Sequence, residues 1–186
     1  MTGVQPAHAR LRAATAAGHA RVDGCFPDGL RDAEDYRRYL RGMAALLDAL
    51  AAADAELADA FIAQRGRLAQ DMQATGTTAM PAPTAPVLAG NAGRLGARYV
   101  VEGSALGARV LLRQAQALGH GPAHGASFLA YHAERGRTHW PRLLQALAAC
   151  DAHGAAFPAL LAGARDSFAL AAACLAPVGG SGGGSP

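Results

Sequence analysis

The chain has 186 residues, 51% of them hydrophobic, and a formal net charge of +3. That length and apolar content suit one compact domain, and beside so much alanine there is little of the alternating Val/Ile/Thr/Tyr pattern that writes a sheet. All 17 basic residues are arginine, yet so small an excess, with no basic run interleaved with aromatics, argues against a nucleic-acid surface.

The first stretch, "MTGVQPAHARLR", lacks the apolar centre of a signal peptide, and no apolar run approaches the ~20 residues of a membrane span. Residues 9–23, "ARLRAATAAGHARVD", read as a first helix. "GCFPDGLRD" breaks it and supplies Asp residues able to cap a second one. That second helix is expected over 33–63, where Tyr36, Tyr39, Leu40, Met43, Leu46, Leu47 and Leu50 recur at three- and four-residue steps. A short helix is expected over 68–72, then a Thr-, Pro- and Gly-rich loop over 74–93. A long helix is expected over 94–118, ended by "GHGPAHG", and further helices over 126–131, 137–153 and 158–175. Residues 1–178 form the expected domain, and 179–186, "GGSGGGSP", a flexible tail. The three cysteines, Cys25, Cys150 and Cys174, are widely spaced, form no CxxC pair, and read as reduced, mostly buried thiols of a cytoplasmic protein.

Chemistry has few places to sit. No Walker motif, HExxH or ExxH occurs, and only four glutamates are present, so a carboxylate-rich metal site is hard to build. His120 and His124 are separated by Gly121 and Pro122, and His132 and His139 flank an expected break; none of these spacings is a usual zinc set. His8 lies near the terminus and reads as exposed. His19 differs, because Asp23 lies one turn later on the same helix face. A carboxylate there can accept a hydrogen bond from one ring nitrogen, fix the tautomer and leave the other for a metal. Arg12, seven residues before His19, lies on the same side and could meet an anionic ligand.

"YVVEGSALGARVLL" places Gly103 and Gly107 one turn apart in a helix, where each costs ~1 kcal/mol relative to alanine. The commoner reason for such a pair is close helix–helix packing. The alternative is a flat ligand lying against the helix, and a porphyrin with its iron on His19 fits that description.

Four stretches in chain order resemble heme oxygenases. "LRAATAAGHARVD" resembles their first helix, with the proximal histidine and a carboxylate one turn later. "LAQDMQATG" resembles a stretch that precedes the loop to their distal helix. "YVVEGSALGARVL" resembles the distal helix, above all in bacterial members associated with phytochromes, and "FLAYHAERGRTHWPRLLQAL" their late Tyr-to-Trp segment. The resemblance implies an all-α, single-domain helical bundle holding heme between the first helix and a Gly-kinked distal helix. It implies heme as both substrate and cofactor, consumption of O2 and reducing electrons, and release of biliverdin, CO and ferrous iron. By the same resemblance His19 is the iron ligand, Asp23 its partner, and Gly103, Ser104 and Gly107 the distal segment. Arg12, Tyr99 and Arg137 then belong to the heme-binding set, with Arg135 and Arg142 as further basic positions for propionates or an acidic donor. The implied partners are an electron donor such as a ferredoxin or a reductase and a bacteriophytochrome receiving biliverdin, with no nucleic acid and no membrane. The chain departs from the family at Asp23, where glutamate is more usual, at Ala108, where a second glycine is common, and at His132, where glycine is common. Those departures keep open a non-enzymatic heme or bilin carrier or sensor on the same fold. Trp140 and Phe128 are expected in the core.

Overall fold

The computed structural model describes residues 7–177, which form seven helices and no strand. The tail at 179–186 lies outside the described residues. The all-α expectation holds, but several helix boundaries differ from those read in the sequence, and the short helix expected over 68–72 is the end of a longer one, Ala55–Ala74.

The helix expected over 33–63 is two: α2, Ala33–Ala53, and α3, Ala55–Ala74. Asp54 divides them in an extended conformation, its side chain accepting from the amides of Glu56 and Leu57 as an N-cap. α2 is capped in the same way by Asp32 and buries Tyr36, Tyr39, Leu40, Met43, Leu46, Leu47 and Leu50. Each such side chain withdrawn from water contributes about 2 kcal/mol before entropy is counted.

The helix expected over 94–118 is also two: α4, Gly90–Ser104, and α5, Ala108–Ala117. Between them the amides of Leu106, Gly107 and Ala108 bond to the carbonyls three residues back, at Gly103, Ser104 and Ala105. The tighter 3₁₀ pattern thus interrupts the α ladder at the predicted glycines. Conversely, the break expected after 131 does not exist. α6 runs unbroken over Ser127–Ala148, with Pro141 inside it.

The remaining helices are α1, Ala7–Asp23, and α7, Phe157–Leu175. α7 is long and apolar enough by composition to pass for a membrane span, which no run was expected to be. Here it is the central core helix, against which α1, α2 and α4 all pack. Small residues make that possible. A Cβ on Gly96 of α4 would run into the Leu160 carbonyl and Ala164 amide of α7, and one on Gly163 into the Gly93 backbone. Gly18 of α1 lies as close to Phe168, whose Cβ would be 2.9 Å from an added methyl. Phe168 therefore sits between α1 and α4 and sets their separation.

Candidate functional site

α1 buries Ala7, Leu11, Thr15 and Gly18 on one face. His8, Arg12, His19 and Asp23 lie along the adjoining flank at helical spacing. His19 Nδ1 lies 2.9 Å from Asp23 Oδ2, and the two side chains are 64% and 67% exposed. The aspartate reaches the ring despite being one methylene shorter than glutamate. With Nδ1–H directed at the carboxylate, Nε2 is left without that partner and able to accept a ligand.

A run of aromatic rings joins this flank to the α4–α5 break. The His19 ring packs edge-on to Phe168 at 5.9 Å, Phe168 to Tyr99 at 6.4 Å, and Tyr99 to Trp140 at 5.8 Å. Trp140 in turn lies beside Gly103, 3.5 Å from where its Cβ would be. Trp140 is partly buried against the core and also lies at the approach to the break, and Phe128 is fully buried as expected. Tyr99 is 8% exposed and packs in the core between Phe168 and Trp140. Burial pushes its hydroxyl pKa up, against the pull of the neighbouring Thr15 hydroxyl and the Arg12 charge. Arg12 also acts on His8, whose pKa is lowered by burial and by that guanidinium. His8 is not exposed: its ring lies 6.0 Å from Tyr99 and 5.9 Å from Trp140. Arg12, His8 and Tyr99 therefore gather donors at one end of the flank that carries His19.

A side chain at either glycine of the break would make ordinary contacts without a clash, Gly103 against the edge of Trp140. A Cβ on Gly107 would meet nothing nearer than the Ser104 carbonyl at 3.7 Å. Tight helix packing does not require Gly103 or Gly107 to be glycine, unlike Gly18, Gly42, Gly96, Gly136 and Gly163, where an added Cβ would clash. Against the break, α6 presents His132, Gly136 and Trp140 at four-residue steps. Gly136 makes room for Ala105, which would be 2.9 Å from its Cβ. An open cleft of about 460 Å³ runs here, floored by Ala105, Ala133 and Gly136 and flanked by Leu106, Arg109 and Arg137. Arg137 is 64% exposed and holds only Glu134, at 3.5 Å. It is therefore free to turn to an anion. Arg135 is not: it pairs with the fully buried Glu102 at 2.9 Å and donates to the Ala60 carbonyl, so it braces α3, α4 and α6 instead of facing a ligand.

Behind the break lies a buried polar chain that the sequence did not announce. His132 is fully buried and stacked on Phe128, with ring centroids 5.0 Å apart. Its Nε2 lies 2.9 Å from Ser104 Oγ and its Nδ1 3.5 Å from Gln64 Nε2. Burial, with the Arg135 charge, lowers its pKa to about 3, so it is neutral at physiological pH. The glycine that the resemblance leads one to expect at this position could make none of these bonds. Among the described residues no group of His, Cys, Asp and Glu is placed to hold a metal on its own. An iron site here therefore needs a ligand that brings its own donors. The cysteines are free thiols, Cys25 and Cys174 buried and Cys150 partly so.

No family model matches the chain, and no curated protein does. A crystal structure of the NO- and CO-bound heme oxygenase from Neisseria meningitidis superposes with a TM-score of 0.72 and 29% sequence identity, over 92% of this chain and 90% of that one.

Proposed function

We propose that this chain, which belongs to the heme oxygenase family, cleaves heme to biliverdin with release of CO and ferrous iron, using O2 and electrons from a ferredoxin or reductase. The observation that carries the reading is the pairing of a free imidazole nitrogen with an open glycine face. His19 is tied to Asp23 at 2.9 Å, and beyond the Phe168–Tyr99–Trp140 run Gly107 has no side chain packed against it while Gly103 meets only the edge of Trp140. These residues fit a flat metalloporphyrin. Nε2 of His19 would take the iron from one side, and two missing side chains admit the plate on the other.

Bound heme supplies both the iron at which O2 is reduced and the macrocycle that is opened. The chain's own residues do the rest. Asp23 accepts a hydrogen bond from Nδ1–H and fixes which nitrogen of His19 would face the iron. Gly103 and Gly107 keep acidic and basic side chains away from the distal face and leave space that water can fill. Arg12 and Tyr99 at one end, and Arg137 at the rim of the cleft, receive the propionates; arginine binds a carboxylate through two parallel N–H donors. Delivery of the product to a bacteriophytochrome accords with the likeness of the distal segment to phytochrome-associated relatives.

The test is an optical titration with hemin, then addition of ascorbate or a ferredoxin system in air. A Soret band that decays to a broad red absorbance, with biliverdin extracted, is the expected result. A Soret band that survives reductant would instead support a heme carrier, and no Soret band would overturn both.

A further inference from the structure

We propose that His132 is a positioning residue for the ligand face of the α4–α5 break: it holds the Ser104 hydroxyl so that this oxygen can only accept a hydrogen bond there. The proposal rests on the heme reading for what faces the break, and on geometry alone for the orientation of the hydroxyl.

The protons can be placed one after another. Ser104 Oγ lies 2.8 Å from the Val101 carbonyl, which can only accept. The serine's single proton must therefore lie between them, since two bare oxygens at that distance would repel. That carbonyl is available because the Ala105 amide has left the α pattern and turned to Gly103. Ser104 Oγ is also 2.9 Å from His132 Nε2, so the imidazole must bring the proton to this contact. A neutral ring has one N–H, which leaves Nδ1 bare and obliges Gln64 to turn its NH₂ toward it, at 3.5 Å. The cost of that turn is visible: Gln64 Oε1 is buried without a partner. Stacking on Phe128, with planes 18° apart, keeps the ring from turning over.

Ser104 thus has its proton directed into its own helix and one lone pair taken by His132. Only one lone pair remains for the exposed side. A water can donate to it; a ligand that needs a donor gets none from it. Under the proposed function, protons reach the distal face through water and not from Ser104, because the hydroxyl must break its bonds to both the Val101 carbonyl and His132 to turn outward.

The orientation is tested first on the heme-free protein, by long-range ¹H–¹⁵N NMR of His132. The Nε2–H tautomer at pH 7 is expected; the Nδ1–H tautomer or a charged ring would overturn the proposal. The consequence is tested on the hemin complex with fluoride, a ligand that accepts hydrogen bonds and donates none. Ser104→Ala should leave fluoride affinity within about twofold, because the serine donates nothing to it. His132→Leu should raise it about tenfold, as the freed hydroxyl turns outward. His132→Gln, whose amide can reach the Nε2 position, should restore the original value. Loss of fluoride affinity in Ser104→Ala, or none of this change in a folded His132→Leu, would overturn it. A purely structural histidine would shift thermal stability and leave fluoride untouched. If hemin does not bind, the parent reading falls and the ligand-facing half of this one with it, whatever the tautomer.

Discussion

At Gly107 an added Cβ meets only a carbonyl at 3.7 Å, and the backbone, with φ −85° and ψ −14°, suits any residue. At Gly96 the same methyl would run into the α7 backbone. The two glycines read alike in the sequence, and the structure separates them. Gly107→Ala is expected to raise stability by up to about 1 kcal/mol, through the unfolded chain's lost freedom. Gly107→Leu is expected to keep the melting temperature and cost at least about tenfold in hemin affinity, because the plate can no longer approach. Gly96→Ala is expected to lose about 2 kcal/mol or more, because backbone cannot step aside as a side chain can. Thermal melts beside hemin titrations measure all three. His19→Ala should abolish the histidine-ligated heme spectrum while leaving the fold intact, since that side chain is mostly exposed.

Between elements, the least legible feature is Asp71. It is 1% exposed, and its carboxylate accepts from the Ser127 amide and hydroxyl and from the Phe128 amide. α6 has no cap from its own preceding residue, so α3 supplies one across the bundle. This gives "LAQDMQATG" a structural role: it starts the helix that carries His132, Gly136 and Trp140 to the break. Asp71→Ala leaves buried N–H groups unpaired and is expected to cost about 3 kcal/mol in denaturant unfolding. The boundaries that differ share a cause. Asp54 reads as a helical position because apolar periodicity continues on both sides of it. The stretch 132–136 reads as a break between two helices, yet its Gly136 is where Ala105 needs room. Periodicity locates apolar faces; it does not say where a helix must bend to meet another.

For the molecule as a whole, the buried histidine sets the acid limb of stability. His132 has its pKa lowered from 6.5 to about 3 in the folded state. Between those values the unfolded chain binds a proton that the folded chain refuses, so stability falls as pH falls. The slope is at most about 1.4 kcal/mol per pH unit from this group. Asp35, held down to about 2 chiefly by its hydrogen bond to Arg31, adds its own loss only below its ordinary value of 3.8. Urea unfolding at pH 7 and pH 5 should therefore show a marked drop for the unsubstituted chain and a flatter one for His132→Gln.

The sequence by itself determined the helical class and the His19–Asp23 pair, and it marked Gly103 and Gly107 without showing that the helix divides there. Each of these is local. Alanine-rich periodicity, a four-residue spacing and a pair of glycines act within one helix, where neighbours in sequence are neighbours in space. Only the tertiary structure decided which glycines pack and which stand open, that Arg135 answers Glu102 instead of a ligand, and that His132 holds Ser104. Those outcomes depend on which side chains meet across α3, α4, α6 and α7. Close packing fixes such meetings to a few tenths of an ångström, a precision that no spacing along the chain encodes.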